Sequence, residues 1–192
     1  MPEKADWSSQ TRWWVIGAGG SGKNTFARRV GAALGLVNHH LDDVYRRRDG
    51  ELLGEGEGKV LIAAIAAGPR WVIEGVGDYR ELAQVVLDRA TALVWLDPSW
   101  DACREGLLQR GPHYGYDPGD PIHLAAWAEA HPRYGADHRR LYGAFGGLKT
   151  RLTTRAETAA FSIGHRPRGD EDGQQLQARK ELECPLTPLN SL

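Results

Sequence analysis

The chain has 192 residues, 41% hydrophobic and 26% charged. That balance excludes a wholly disordered or fibrous protein and fits one ordinary domain able to bury about 70% of its extended surface. A net charge of −1 gives no global basic field for nucleic acid or membrane, so any phosphate chemistry must be local. The two cysteines, Cys103 and Cys184, are too far apart for a clustered zinc site and too few for a disulfide framework. No apolar leader and no run approaching about 18 apolar residues is present, so the expectation is a soluble, cytoplasmic protein.

The elements alternate along the chain. Trp13–Ile16 reads as a short apolar strand stopping at Gly17, and Thr25–Leu34 as a helix closed by Gly35. Leu36–Leu41 is the second strand, Lys59–Ala67 a helix ended by Gly68-Pro69, and Trp71–Ile73 the third strand. Tyr79–Asp88 carries a helical period and Leu93–Leu96 is the fourth strand. Ser99 is the expected N-cap of a helix running to about Arg110. Residues 111–121 (GPHYGYDPGDP) form a loop, and Ile122–Phe145 is helical with an expected break near Pro132. A last strand falls at Arg151–Thr153 and a last helix at Arg155–Ser162. The polar, charge-mixed tail 164–192 is expected to be disordered or loosely docked beside one domain spanning 1–163. Short unbroken apolar strands alternating with helices imply an α/β fold with a parallel sheet buried on both faces.

One motif carries chemistry. Between the first strand and first helix stands Gly17-Ala-Gly19-Gly20-Ser21-Gly22-Lys23-Asn24-Thr25. It satisfies G-x-x-x-x-G-K and departs from the phosphate-loop pattern at Asn24, where Ser or Thr is usual. Glycines let successive N–H groups converge on a phosphate, and a helix start adds donors and the positive end of its dipole. Lys23 would reach the terminal phosphates of a nucleoside triphosphate and Thr25 a phosphate nearer the sugar. Asn24 offers Mg²⁺ an amide oxygen in place of a hydroxyl, which should weaken metal binding and spare nucleotide binding.

Acids recur at the other strand ends: Asp42 and Asp43 after VNHHL, Glu74 after WVI, and Asp97 after VWL. In a parallel sheet these ends share one edge, where ligands bind. Glu74-Gly75 suits an acid that holds Mg²⁺ through water, and Asp42 an acid that orients or deprotonates an acceptor hydroxyl. Positive charge gathers at Arg133, Arg139, Arg140, Lys149, Arg151 and Arg155, and Arg110 precedes the Gly/Pro loop that would close as a lid. Arg46, Arg47 and Arg48 suit an anionic acceptor or mere solubility. His39 and His40 read as packing and capping residues, and Trp100 and Trp127 as candidate walls of an acceptor pocket.

The blocks GAGGSGKNTFARRVGAALGL, HHLDDVY, WVIEGVGDYR, LVWLDPSWDACREGLLQR and RLTTRAETAAF resemble the adenylate-kinase-related P-loop proteins of the topology-modulation type. The likeness covers about residues 13–161, where that group's pattern runs GxxGSGKST, HLD, WVIDGNY and WLD. It implies a nucleoside-monophosphate-kinase-like fold: a five-stranded parallel sheet of order 2-3-1-4-5, flanking helices and a small lid at about 111–147. It also implies ATP and Mg²⁺ as cofactors, with Lys23, Asn24 and Thr25 at the phosphate and metal positions. Asp42 and Glu74 fall on acceptor or metal acids and Arg110 on a lid arginine. Arg80 is the displaced counterpart of the acceptor-binding arginine of adenylate kinase.

The expected activity is ATP-dependent phosphoryl transfer to a small molecule by a monomer or homodimer. Lys23, Asp42 and Arg110 would be catalytic, and Gly17, Gly19, Gly20, Ser21, Gly22, Lys23, Asn24 and Thr25 would bind the nucleotide. Asp42, Glu74, Gly75, Arg80 and Arg133 would hold the acceptor, with Asn24 and Glu74 as metal ligands. Two other readings stand beside it: a nucleotide-binding regulator with little transfer, and a kinase of a shikimate- or gluconate-like hydroxy acid.

Overall fold

The computed structural model describes residues 6–44, 53–75, 80–113 and 115–164. Arg46–Arg48, Tyr79 and the tail beyond 164 therefore lie outside the described residues, as does the side chain of Arg80. In chain order the elements are β1 (Arg12–Gly17), α1 (Lys23–Leu34), β2 (Asn38–His40), α2 (Leu41–Val44), α3 (Glu55–Ala67) and β3 (Trp71–Gly75). They continue as α4 (Arg80–Leu87), β4 (Ala92–Leu96), α5 (Trp100–Arg110), α6 (Pro121–Ala144), β5 (Leu148–Leu152) and α7 (Arg155–Ala160).

All strand pairs are parallel and the order is β2-β3-β1-β4-β5. The continuous apolar runs of β1, β3 and β4 are buried along their length because helices cover both faces. Alternation along β1 splits the core in two. Trp14 and Ile16 join Ile62, Trp71, Ile73, Trp95 and Leu141 on the face covered by α3, α4 and α6. Trp13 and Val15 join Phe26, Val30, Val72, Val94 and Leu96 on the face covered by α1. Trp13, Trp14, Trp71 and Trp95 are all fully buried, and replacing any of them by Ala should cost about 3–5 kcal/mol.

Helix ends follow local chemistry. Gly35 closes α1 in the left-handed region, φ 63°, with its N–H on the Gly31 carbonyl. Ser99 caps α5 by accepting the Ala102 N–H, and Thr154 caps α7 by accepting that of Glu157. Two expectations are corrected. The second strand is only Asn38–His40, because Leu41 turns inward to start α2 with its side chain in the core. The helix expected to break near Pro132 runs unbroken through it from Pro121 to Ala144. Asp120 caps its start, while Leu141 and Phe145 anchor its far end in the core. The 111–147 segment thus combines a loop, this long helix and a core-packed end.

Candidate functional site

The Gly17–Thr25 turn leaves the C-terminal end of β1, the middle strand of the sheet, and enters α1. Its backbone is tightly held. A Cβ on Gly17 would lie 2.6 Å from the Leu96 carbonyl oxygen, and one on Gly20, where φ is +77°, would run into the Cys103 carbonyl of α5. Gly106 makes the reciprocal approach to the Gly20 carbonyl. Gly22 caps α1 with φ 89°, no side-chain cap and no acid in the first turn, which leaves first-turn N–H groups and the helix dipole to an outside anion. Ser21 is buried and its Oγ has no hydrogen-bond partner among the described residues. Lys23 is buried with Nζ donating to the Ala18 carbonyl at 3.4 Å. Asn24 is half-buried and Thr25 exposed. Trp127 of α6 covers the loop, its Nε1 3.6 Å from where a Gly19 Cβ would stand.

Beside the loop, β3 delivers Glu74. Parallel register pairs it with Val15 on one side and His40 on the other, so the acid and the imidazole reach the same sheet edge. Glu74 is fully buried and neither carboxylate oxygen has a hydrogen-bond partner among the described residues. Burial pushes its carboxyl up to about 7; Lys23 opposes this, while Asp42 and Asp43 add to it. His40 Nε2 stands 3.1 Å from Glu74 Oε1, off the line of a hydrogen bond. Its Nδ1 accepts the Asp42 N–H at 3.1 Å and lies 3.8 Å from Asp42 Oδ2. Burial holds this imidazole below its ordinary pKa, with Asp42 pulling upward and Lys23 downward. The capping role read from the sequence for His40 is present, but the residue is also part of the acid cluster, which that reading missed. The available signal was its place at a strand end beside the WVIE strand.

Arg110, the last residue of α5, faces the same acids. Partial burial draws its guanidinium below its usual value, and the charges of Asp42 and Glu74 draw it back. Lys23, Asp42, Glu74 and Arg110 therefore share one electrostatic neighbourhood. Gly75 lies at its edge, but its open side is filled by Leu41, whose Cβ would be 2.8 Å from an added Cβ. Arg80 opens α4. Arg133 lies exposed on α6, its guanidinium 5.8 Å from the Tyr134 ring centroid.

Much of the cation run has structural work. Arg151 donates to Asp97 Oδ2 from both Nε and Nη2 and stacks 4.4 Å from the Trp95 ring centroid. Lys149 donates to the carbonyls of Tyr142 and Phe145, and Arg155 to that of Ala102. Asp97 is thus an ion-pair partner across β4 and β5. On the other side of the loop, a cleft of about 250 Å³ runs between α1 and α7, lined by Ser21, Gly22, Thr25, Phe26, Arg29, Pro98, Arg155, Thr158 and Ala159. Arg29 fixes its far wall by donating to the carbonyls of Thr158, Ala159 and Phe161.

The glycine cradle, the uncapped helix and the buried Lys23 fit a polyphosphate. The amide of Asn24 and the unpartnered oxygens of Glu74 are hard donors of the kind Mg²⁺ takes. No helix among the described residues is long and apolar enough to cross a membrane.

The fold is that of P-loop kinases. The chain is similar to shikimate kinase from Acinetobacter baumannii in complex with shikimate (TM-score 0.58, 12% identity, 93% of this chain and 98% of that one). It is similar to shikimate kinase from Bacteroides thetaiotaomicron (TM-score 0.55, 15% identity, 90% and 99% covered). It is also similar to a gluconokinase from Sinorhizobium meliloti 1021 (TM-score 0.52, 17% identity, 80% and 85% covered). No protein-family model and no curated protein matches the sequence.

Proposed function

We propose that the protein is an ATP-dependent kinase of a small molecule. The observation that carries this reading is the pairing of a phosphate-loop cradle holding Lys23 with a buried, donor-poor Glu74 on the neighbouring strand end. The triphosphate lies on Gly17–Thr25, with Gly19, Gly20, Ser21 and Gly22 supplying backbone donors, and the nucleoside enters the cleft beside α7. Mg²⁺, held by Asn24 and Glu74, would neutralise phosphate charge when bound. Lys23 and Arg110 meet the charge that spreads over the transferring group. Asp42 orients the acceptor hydroxyl and takes its proton. Arg80 and Arg133 are the remaining candidates for holding the acceptor, and the segment at about 111–147 for the lid.

Titration calorimetry with ATP, followed by an acceptor screen that measures ADP formation, tests the reading. Absence of ATP affinity in the wild type, or an unchanged affinity in Lys23→Ala, overturns it. Among acceptors, hydroxy acids come first in the screen, since two of the structural neighbours are shikimate kinases and one a gluconokinase. The finer likeness to topology-modulation proteins rests on the motif blocks HHLDDVY and WVIEGVGDYR. Asn24 favours a second reading, a nucleotide-binding regulator with little transfer. Tight ATP binding without acceptor-dependent turnover would select it.

A further inference from the structure

Glu74 is the one fully buried carboxylate in the candidate site, and neither of its oxygens has a hydrogen-bond partner among the described residues. A buried carboxylate doing polar work needs a donor or a cation within reach. His40 Nε2 stands 3.1 Å from Oε1. The other ring nitrogen is already committed, because Nδ1 accepts the backbone N–H of Asp42. In the neutral ring that bond leaves the proton on Nε2, the nitrogen that faces Glu74. One imidazole thus stands between the start of α2, where Asp42 lies, and the acid at the end of β3.

We propose that His40 is a positioning residue locked in its Nε2–H tautomer, which aligns Glu74 and Asp42 with each other. In this arrangement Nε2–H donates to Glu74 Oε1, 3.1 Å away, while Nδ1 keeps the Asp42 N–H. This inference rests on the kinase reading for its kinetic consequence but not for its structural content. The two functions of the ring separate by substitution. Asn places an oxygen near the Nδ1 position and no donor near Glu74. Gln reaches toward Glu74 with an amide N–H₂ and gives up the Nδ1 contact.

The test has two arms. In the first, long-range proton–nitrogen spectra of histidine-labelled wild-type protein read the tautomer directly, and Glu74→Gln serves as the control. The expected result is an unprotonated Nδ1 and a protonated Nε2 for His40, with the Nε2 resonance moving in Glu74→Gln. A protonated Nδ1, or an Nε2 resonance indifferent to that change, overturns the proposal. In the second, His40→Asn and His40→Gln are compared with wild type in the acceptor-dependent assay. His40→Asn is expected to lose about tenfold or more in kcat with the KM for ATP within about twofold, and His40→Gln to recover a substantial part of it. Equal impairment of the two variants, or a loss confined to KM, overturns the proposal. If the wild type shows no acceptor-dependent turnover, the kinase reading fails while the tautomer measurement still decides this one.

Discussion

Glu74 sets the most specific expectation at the level of single residues. Its carboxyl is raised from 4.5 to about 7 by burial, so the folded protein holds a proton there that the unfolded chain releases between those values. Stability from this group is fully present below about pH 4.5 and is lost as pH rises to 7, on the order of 3 kcal/mol in total. Glu74→Gln removes the titration. Urea unfolding in metal-free buffer should find that variant more stable than wild type at pH 8 by up to a few kcal/mol, and the two much closer at pH 5. Asn24 sets a second expectation. Asn24→Ser restores the hydroxyl usual in phosphate loops and should lower the Mg²⁺ concentration that half-saturates turnover several-fold, leaving metal-free ATP affinity unchanged in calorimetry.

Between elements, the close approach of α5 to the phosphate loop is the contact with least slack. Gly106 has the Gly20 carbonyl and an Arg155 nitrogen, 2.7 Å away, where a methyl would go, whereas Gly135 on α6 has open space. Gly106→Ala should destabilise the fold by about 1–3 kcal/mol and weaken ATP binding. Gly135→Ala should stabilise it by up to about 1 kcal/mol. Chemical denaturation of both variants checks the contrast. Pro132 extends the test, since an exposed Pro inside a continuous helix lacks the N–H that an Ala would return. Pro132→Ala should raise the melting temperature of the whole chain.

The elements that were legible in the sequence are those with local causes. Ser99 and Gly35 act on neighbours within four residues, so spacing alone places them. Pro132 was misread because a local breaker is outweighed by anchorage at both ends of α6, the Asp120 cap and the core-packed Leu141. The pairing of His40 with Glu74 depends on register between strands 34 residues apart in sequence, which no local pattern encodes. The same holds for Arg151 and Asp97, which read separately as a phosphate-binding cation and a site acid, yet satisfy one another across two strands.

At the scale of the molecule, a ligand on the loop stabilises the entire cooperative unit, because the loop is joined to β1 at the centre of the sheet. Saturation at a hundred times the dissociation constant adds about 2.7 kcal/mol, equivalent to roughly 5–10 °C for a domain of this size. A thermal melt with ATP should show that rise in wild type and none in Lys23→Ala. A rise of equal size in both would place the nucleotide elsewhere.

The unequal settings of the tryptophans carry an optical consequence. Trp13, Trp14, Trp71 and Trp95 are sealed in the two cores and would contribute a steady blue background of emission. Trp127 is only partly buried and rests its indole edge on Gly19, so it is the fluorophore that an arriving polyanion must disturb. The emission difference on adding ATP, absent in Trp127→Phe, would turn the chain into its own stopped-flow reporter of nucleotide arrival.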